Sequence, residues 1–86
     1  MSEDIVVKRK RLQFRSWHRG TRELDLILGT FADRHIADLS ETELDIYDHM
    51  LTLPDPDLYN WITGMERVPA NHMNSVMERL KQHRVA

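Results

Sequence analysis

The chain has 86 residues, a net charge of −2, no cysteine and 41% hydrophobic residues. A chain this short buries one modest core and leaves little room for a deep active site, which disfavours a self-contained enzyme. Without cysteine there can be no disulfide, cysteine zinc site, iron–sulfur cluster or thiol nucleophile. We therefore expect one small domain over residues 1–86 that is not an enzyme in its own right.

The sequence shows no membrane segment and no secretory signal. Its longest apolar runs, at 5–7 and 26–28, are far shorter than a membrane helix. Glu3 and Asp4 stand where a secretory signal would carry basic residues, and no long apolar segment follows them. We expect a protein that does not insert into a membrane and that resides in the bacterial cytoplasm.

The small net charge hides three blocks of opposite sign. The net charge is +4 over residues 1–23, −9 over 24–66 and +3 over 67–86. Blocks of this kind can steer association with a partner of complementary charge, although they do not determine a fold.

Apolar residues recur at helical spacing along the chain, which predicts an all-α bundle of about five short helices. The first helix is predicted from about Lys8 to Arg19. Gly20 follows it and can adopt the positive φ that often ends a helix. Residues 1–7 are expected to fray, which leaves an ordered core over about 9–83.

The second helix is marked by an apolar stripe at i, i+3, i+4 and i+7, which consists of Leu24, Ile27, Leu28 and Phe31. Ser40 and Glu43 have the spacing of a capping box, in which each side chain accepts from the backbone N–H of the other residue. The third helix is therefore expected to start near Glu41. Pro54 ends it.

Prolines and a glycine bound the last two helices. Asp55 and Pro56 predict the N-cap and the first residue of the fourth helix, because proline lacks the N–H that is unpaired at that position. Gly64 ends this helix. Pro69 opens the fifth, which is expected to run to about His83.

Metal binding and nucleophilic catalysis both lack a supporting pattern. Asp45 and His49 lie one helical turn apart, but no third ligand stands at a typical spacing. The serines have no nucleophile-elbow context, and Ser40 is explained as a helix cap. We expect surface histidines, no metal site and no catalytic residue.

The basic first helix offers an alternative function. A basic run at 8–11, extended by three further arginines up to Arg22, could bind phosphates, and Phe14 and Trp17 could stack on bases. The acidic block that follows would repel a nucleic-acid backbone lying across so small a domain. We expect no nucleic-acid partner, and a small nucleic-acid-binding or regulatory module that uses the basic helix remains the alternative.

The segment at 17–25 has two interpretations. In the structural one, Gly20 ends the first helix, Glu23 and Asp25 favour the positive end of the second, and the arginines are solvated. In the functional one, the glycine lets another backbone approach, while Arg19 and Glu23 offer a guanidinium and a carboxylate to a partner. The residues alone leave both interpretations open.

Two motifs in the chain resemble those of a known family. The pattern R-G-x-x-E at 19–23 continues as Leu24-Asp25, and D-P-D-L-Y-N-W follows at 55–61. Together they resemble the flavinylation factors of succinate dehydrogenase, also called succinate dehydrogenase assembly factor 2, and the resemblance covers about residues 9–83. It implies a small all-helical protein that binds the flavoprotein subunit of succinate dehydrogenase and promotes covalent attachment of FAD to it.

The resemblance implies that Arg19, Gly20 and Glu23 form the surface that meets the flavoprotein. Further candidates for this partner-binding surface are Asp25, His18, Arg15, Asp55, Pro56 and Tyr59. Trp61 lies on an apolar stripe and is expected to pack in the core. Many members of the family carry a second arginine where this chain has His18, whose charge depends on pH.

The resemblance also implies what the chain does not hold. FAD belongs to the flavoprotein, so this chain is expected to bind no cofactor stably and to act as an assembly chaperone. The flavoprotein of fumarate reductase is a further expected partner. The chain itself is expected to be a monomer.

Overall fold

A computed structural model describes residues 3–85 of the chain. Its five α-helices are α1 Ile5–Trp17, α2 Arg22–His35, α3 Glu41–Met50, α4 Asp55–Thr63 and α5 Ser75–Gln82, and two short 3-10 turns lie at Ile36–Asp38 and Ala70–His72. The predicted all-α bundle of about five short helices is confirmed.

Buried apolar side chains from all five helices form one core. Its largest fully buried members are Tyr47, Phe31, Leu12, Leu24, Leu28, Leu39, Leu44, Leu51, Leu58, Met77, Leu80 and Val76. Trp61 is 7% exposed and packs in this core, as predicted. The predicted stripes therefore face inward, and their burial is the main favourable contribution to folding.

A polar pair joins α1 to α3 inside the core. The Tyr47 hydroxyl lies 2.6 Å from Ser16 Oγ, and Ser16 Oγ donates to the Leu12 carbonyl at 2.7 Å. The Tyr47 hydroxyl also lies 3.4 Å from the Leu28 carbonyl, so two hydroxyls and two backbone carbonyls form one buried network. Burial raises the pKa of Tyr47 well above its ordinary value, so the hydroxyl stays neutral and able to donate.

The first helix begins and ends earlier than predicted. The Asp4 side chain accepts from the Val6 N–H at 2.7 Å, and this cap starts α1 at Ile5 instead of Lys8. The expected fraying of residues 1–7 stays a prediction: residues 5–7 belong to α1, and residues 1 and 2 lie outside the described part of the chain. The helix ends at Trp17, before the Arg19 predicted for its end.

The later helix boundaries are partly confirmed. The capping box of Ser40 and Glu43 starts α3 at Glu41, and Gly64 ends α4 with φ 82°. Pro54, and not Asp55, is the N-cap of α4, so the prediction there is wrong by one residue.

The fifth helix starts later than predicted. Pro69 opens a 3-10 turn instead of the last helix. α5 begins only at Ser75, where the Asn74 side chain accepts from the Met77 N–H at 2.8 Å. It ends at Gln82, with His83 as its C-cap, so the predicted end is close.

Candidate partner-binding site

The basic helix α1 lies against the acidic helix α3. Lys8 pairs with Asp45, while Arg11 and Arg15 pair with Asp48 at 2.8 and 3.3 Å. The hydrogen bond from Arg11 holds the pKa of Asp48 below its ordinary value. Three cations of the basic block are therefore paired with carboxylates of the acidic block, and these are cations that the nucleic-acid alternative would need.

Arg19 turns inward, although the functional interpretation placed its guanidinium on the surface. Its Nε and Nη2 donate to Asp55 Oδ1 at 3.1 and 2.5 Å, Nη2 also donates to the Leu53 carbonyl at 3.0 Å, and Nη1 donates to the Leu51 carbonyl. The side chain is only 11% exposed. The expectation of a solvated arginine is therefore wrong at this position.

The pair of Arg19 and Asp55 brings the two sequence motifs together. The first motif supplies the start of α2 and the second the start of α4, and a groove of about 410 Å³ lies between them. This corner groove is lined by Thr21, Glu23, Leu24, Asp55, Pro56, Tyr59 and Asn60. Four of the predicted site residues thus line a single surface, namely Glu23, Asp55, Pro56 and Tyr59.

Charge and shape make the groove suitable for recognition. Glu23 is exposed, and no residue within 3–85 forms an ion pair with it. Tyr59 is partly buried against the core and presents an aromatic ring. Carboxylates beside an aromatic ring and a proline suit a protein surface with complementary charge, because the ring adds apolar contact area.

Gly20 stands at the corner between α1 and α2, beside the inward-turned Arg19. Its φ of 101° lies in the region that favours glycine. A Cβ built there would meet nothing within 4 Å, so the residue borders open space. The glycine therefore leaves bare backbone at the corner, with room for another molecule to approach.

Five predicted site residues lie outside the groove lining: Arg19 and Gly20, described above, and His18, Arg15 and Asp25. The His18 ring is exposed, stacks on Phe14 with 4.0 Å between centroids, and donates from Nδ1 to the Phe14 carbonyl at 2.6 Å. Arg15 points toward α3. Asp25 accepts from the Arg19 N–H at 2.6 Å and so braces the corner from inside the chain.

Sequence reasoning missed several residues of the groove. Thr21 and Asn60 were not singled out and Leu24 was predicted only as part of an apolar stripe, although all three belong to the two motifs. Their position in a motif was the signal that could have identified these residues. Gly29 was also missed: it lies in the middle of α2, where the Trp17 ring packs directly against it.

Within residues 3–85, no group of three or more histidines and carboxylates is placed to hold a metal ion. In the same part of the chain, no helix is both long and apolar enough to cross a bilayer.

Comparison with known proteins identifies the family. Residues 10–84 match the family model described as flavinator of succinate dehydrogenase. This chain belongs to that family. The family consists of assembly factors rather than enzymes, which confirms that the chain is not an enzyme in its own right.

The names of individual relatives agree with this family assignment. The chain is 38% identical to succinate dehydrogenase assembly factor 2, mitochondrial, of Drosophila grimshawi over 95% of this chain and 57% of the relative. The protein of that name in Dictyostelium discoideum is 40% identical over 93% of this chain and 57% of the relative. The FAD assembly factor SdhE of Acetobacter pasteurianus is 31% identical over 91% of this chain and 72% of the relative.

The chain spans a little over half the length of the first two relatives. Those relatives are named as mitochondrial, whereas the third comes from a bacterium. The bacterial cytoplasmic location stays a prediction.

Proposed function

We propose that this chain promotes covalent attachment of FAD to the flavoprotein subunit of succinate dehydrogenase by binding that subunit through the corner groove. Family membership supports the reaction. The single observation that carries the proposal for the site is the corner groove itself, where two motifs far apart in sequence form one surface that includes an exposed glutamate.

The chemistry of attachment belongs to the flavoprotein and its cofactor. A small partner accelerates it by differential binding. If the chain binds more tightly to the flavoprotein conformer in which the reacting groups are aligned, that conformer gains population. A difference in binding free energy of about 1.4 kcal/mol raises the competent fraction tenfold while that fraction is small.

FAD remains with the flavoprotein in this proposal. The exposed Glu23 carboxylate would repel the pyrophosphate of a dinucleotide placed in the corner groove, because like charges repel at short range. In this proposal the chain therefore binds no cofactor stably. We propose separately that it acts as a monomer on its partner. The resemblance of its motifs extends the proposal to the flavoprotein of fumarate reductase.

Flavin fluorescence of the denatured flavoprotein in a gel tests the proposal. The flavoprotein subunit is produced with no factor, with the wild-type chain, or with the Glu23→Ala variant. We expect covalent flavin with the wild-type chain and several-fold less with Glu23→Ala, which removes the exposed carboxylate of the groove.

Glu78→Ala is the matched control, because Glu78 is also an exposed glutamate in the first turn of a helix. The Glu78→Ala variant should give the same yield of covalent flavin as the wild type. Equal covalent flavin with and without the chain contradicts the proposed function. Equal yield from Glu23→Ala and the wild type contradicts the proposed use of the groove.

A further inference from the structure

Arg19 links three parts of the chain through hydrogen bonds. Its backbone N–H donates to Asp25 in α2, and its guanidinium bonds the connection from α3 to α4 as well as Asp55 at the start of α4. The Leu51 and Leu53 carbonyls that it binds follow the last turn of α3, where carbonyl groups lack helical partners. One side chain thus fixes the distance between the two motifs.

Most donors of Arg19 are already occupied. A guanidinium has five N–H groups, and four of them are used in these internal bonds. More than one hydrogen bond to a partner would require the side chain to leave acceptors that are themselves partly buried. Glu23, by contrast, is exposed and free of any ion pair in the described part of the chain.

We propose that Arg19 is a positioning residue: it holds the start of α4 against the corner between α1 and α2 and so sets the shape of the corner groove. This inference rests on the proposed function. Glu23 and its neighbours in the groove touch the flavoprotein, while Arg19 acts through Asp55. Lysine cannot replace Arg19. The planar guanidinium of arginine holds several acceptors in a fixed geometry, whereas the single ammonium group of lysine does not.

A double-mutant cycle on binding separates positioning from contact. Dissociation constants for the apo-flavoprotein subunit are measured with the wild type, Arg19→Lys, Asp55→Asn and the double variant. If Arg19 acts through Asp55, each single variant weakens binding about tenfold and the double variant weakens it by about the same factor. If the effects multiply to about a hundredfold, Arg19 acts independently of Asp55, which overturns the inference that it acts through this carboxylate.

Arg11→Lys is the matched control for the loss of an arginine fork. Arg11 also bridges two carboxylates, Glu3 and Asp48, but lies away from the corner groove. The Arg11→Lys variant should bind the flavoprotein with a dissociation constant within about twofold of the wild-type value. Weakening equal to that of Arg19→Lys would assign the effect to general destabilisation and would also overturn the inference.

Hydrogen exchange in the isolated chain tests the same point without the flavoprotein. Both Arg19→Lys and Asp55→Asn should speed exchange at the amides of the first turns of α4, such as Leu58, and leave α5 unchanged. Unchanged exchange in α4 overturns the positioning role, and the Asp55→Asn arm decides the matter even if Arg19→Lys does not fold. A wild-type chain that fails to bind the flavoprotein contradicts the proposed function instead, and the exchange result still stands.

Discussion

Adjacent residues at the corner contribute in different ways. The Arg19 side chain donates to internal acceptors, whereas Gly20 has no side chain and borders open space. The positive φ of Gly20 lets the backbone reverse between α1 and α2 while the residue before it points inward. Conformation and accessibility are thus combined in one glycine, and substitutions can separate them.

Gly20→Ala and Gly20→Arg form a pair that makes this separation. Both should lower the free energy of unfolding by about 1–2 kcal/mol, because any side chain is strained at this φ. Neither meets an internal clash, since the space beyond Gly20 is open. Only the arginine projects a long charged side chain toward an approaching flavoprotein, so binding should fall much further for Gly20→Arg.

Urea denaturation followed by circular dichroism gives the stability of each variant, and titration with the flavoprotein gives its affinity. A Gly20→Arg protein that is folded but does not bind supports an accessible corner. Equal affinities for the two variants would mean that the glycine acts only through its conformation.

At the scale of helices, the contact between α1 and α2 depends on Gly29. A Cβ at this position would overlap ring atoms of the Trp17 indole, and the indole N–H donates to Asp33 at 3.2 Å, which fixes the ring in place. Glycine is unfavourable inside a helix by about 1 kcal/mol relative to alanine. Its presence in α2 is explained by the close approach of the tryptophan.

Gly29→Ala should therefore destabilise the wild-type chain and stabilise a Trp17→Ala background. In the wild type, the overlap costs about 1–3 kcal/mol and exceeds the gain in helix propensity of about 1 kcal/mol. Without the indole, only the gain remains. Urea denaturation of the four proteins checks the reversal of sign; a stabilising effect in both backgrounds would show that the indole moves aside at no cost.

The elements that could be predicted from sequence are those whose signals are local. The capping box of Ser40 and Glu43 sets the start of α3 through bonds within four residues, and Gly64 ends α4 through its own φ. Pro69 misled the prediction for α5, because a proline is equally compatible with the 3-10 turn that forms there.

The site could be predicted only in part, because its central bond is not local. The motifs identified Glu23, Pro56 and Tyr59, which line the groove. No periodicity connects Arg19 to Asp55, and their pairing follows from how α1, α3 and α4 pack. Sequence reasoning therefore placed Arg19 on the surface, where a charged residue is ordinarily found.

At the scale of the whole molecule, the charge blocks serve folding. The basic block runs along α1 and the facing part of the acidic block along α3, so that Arg11 and Arg15 share the carboxylate of Asp48. A network of this kind is worth more than an isolated surface pair, which contributes at most about 1 kcal/mol. Part of the opposite charge of the two blocks is thus paired inside the domain.

This pairing makes stability depend on pH in a way that Asp48→Asn should remove. The hydrogen bond from Arg11 lowers the pKa of Asp48 below its ordinary value of 3.8, so the unfolded chain takes up the proton more readily than the folded one. The stabilisation is present above about pH 4 and is lost as the pH falls through the lower folded pKa. Asp48→Asn should therefore cost about 1 kcal/mol near neutral pH, and this cost should shrink as the pH falls below about 4. Urea denaturation across this range checks the trend against Asp38→Asn, which changes an exposed carboxylate outside the ion pairs of residues 3–85. A difference between wild type and Asp48→Asn that stays constant with pH would show that the carboxylate contributes by packing instead of charge.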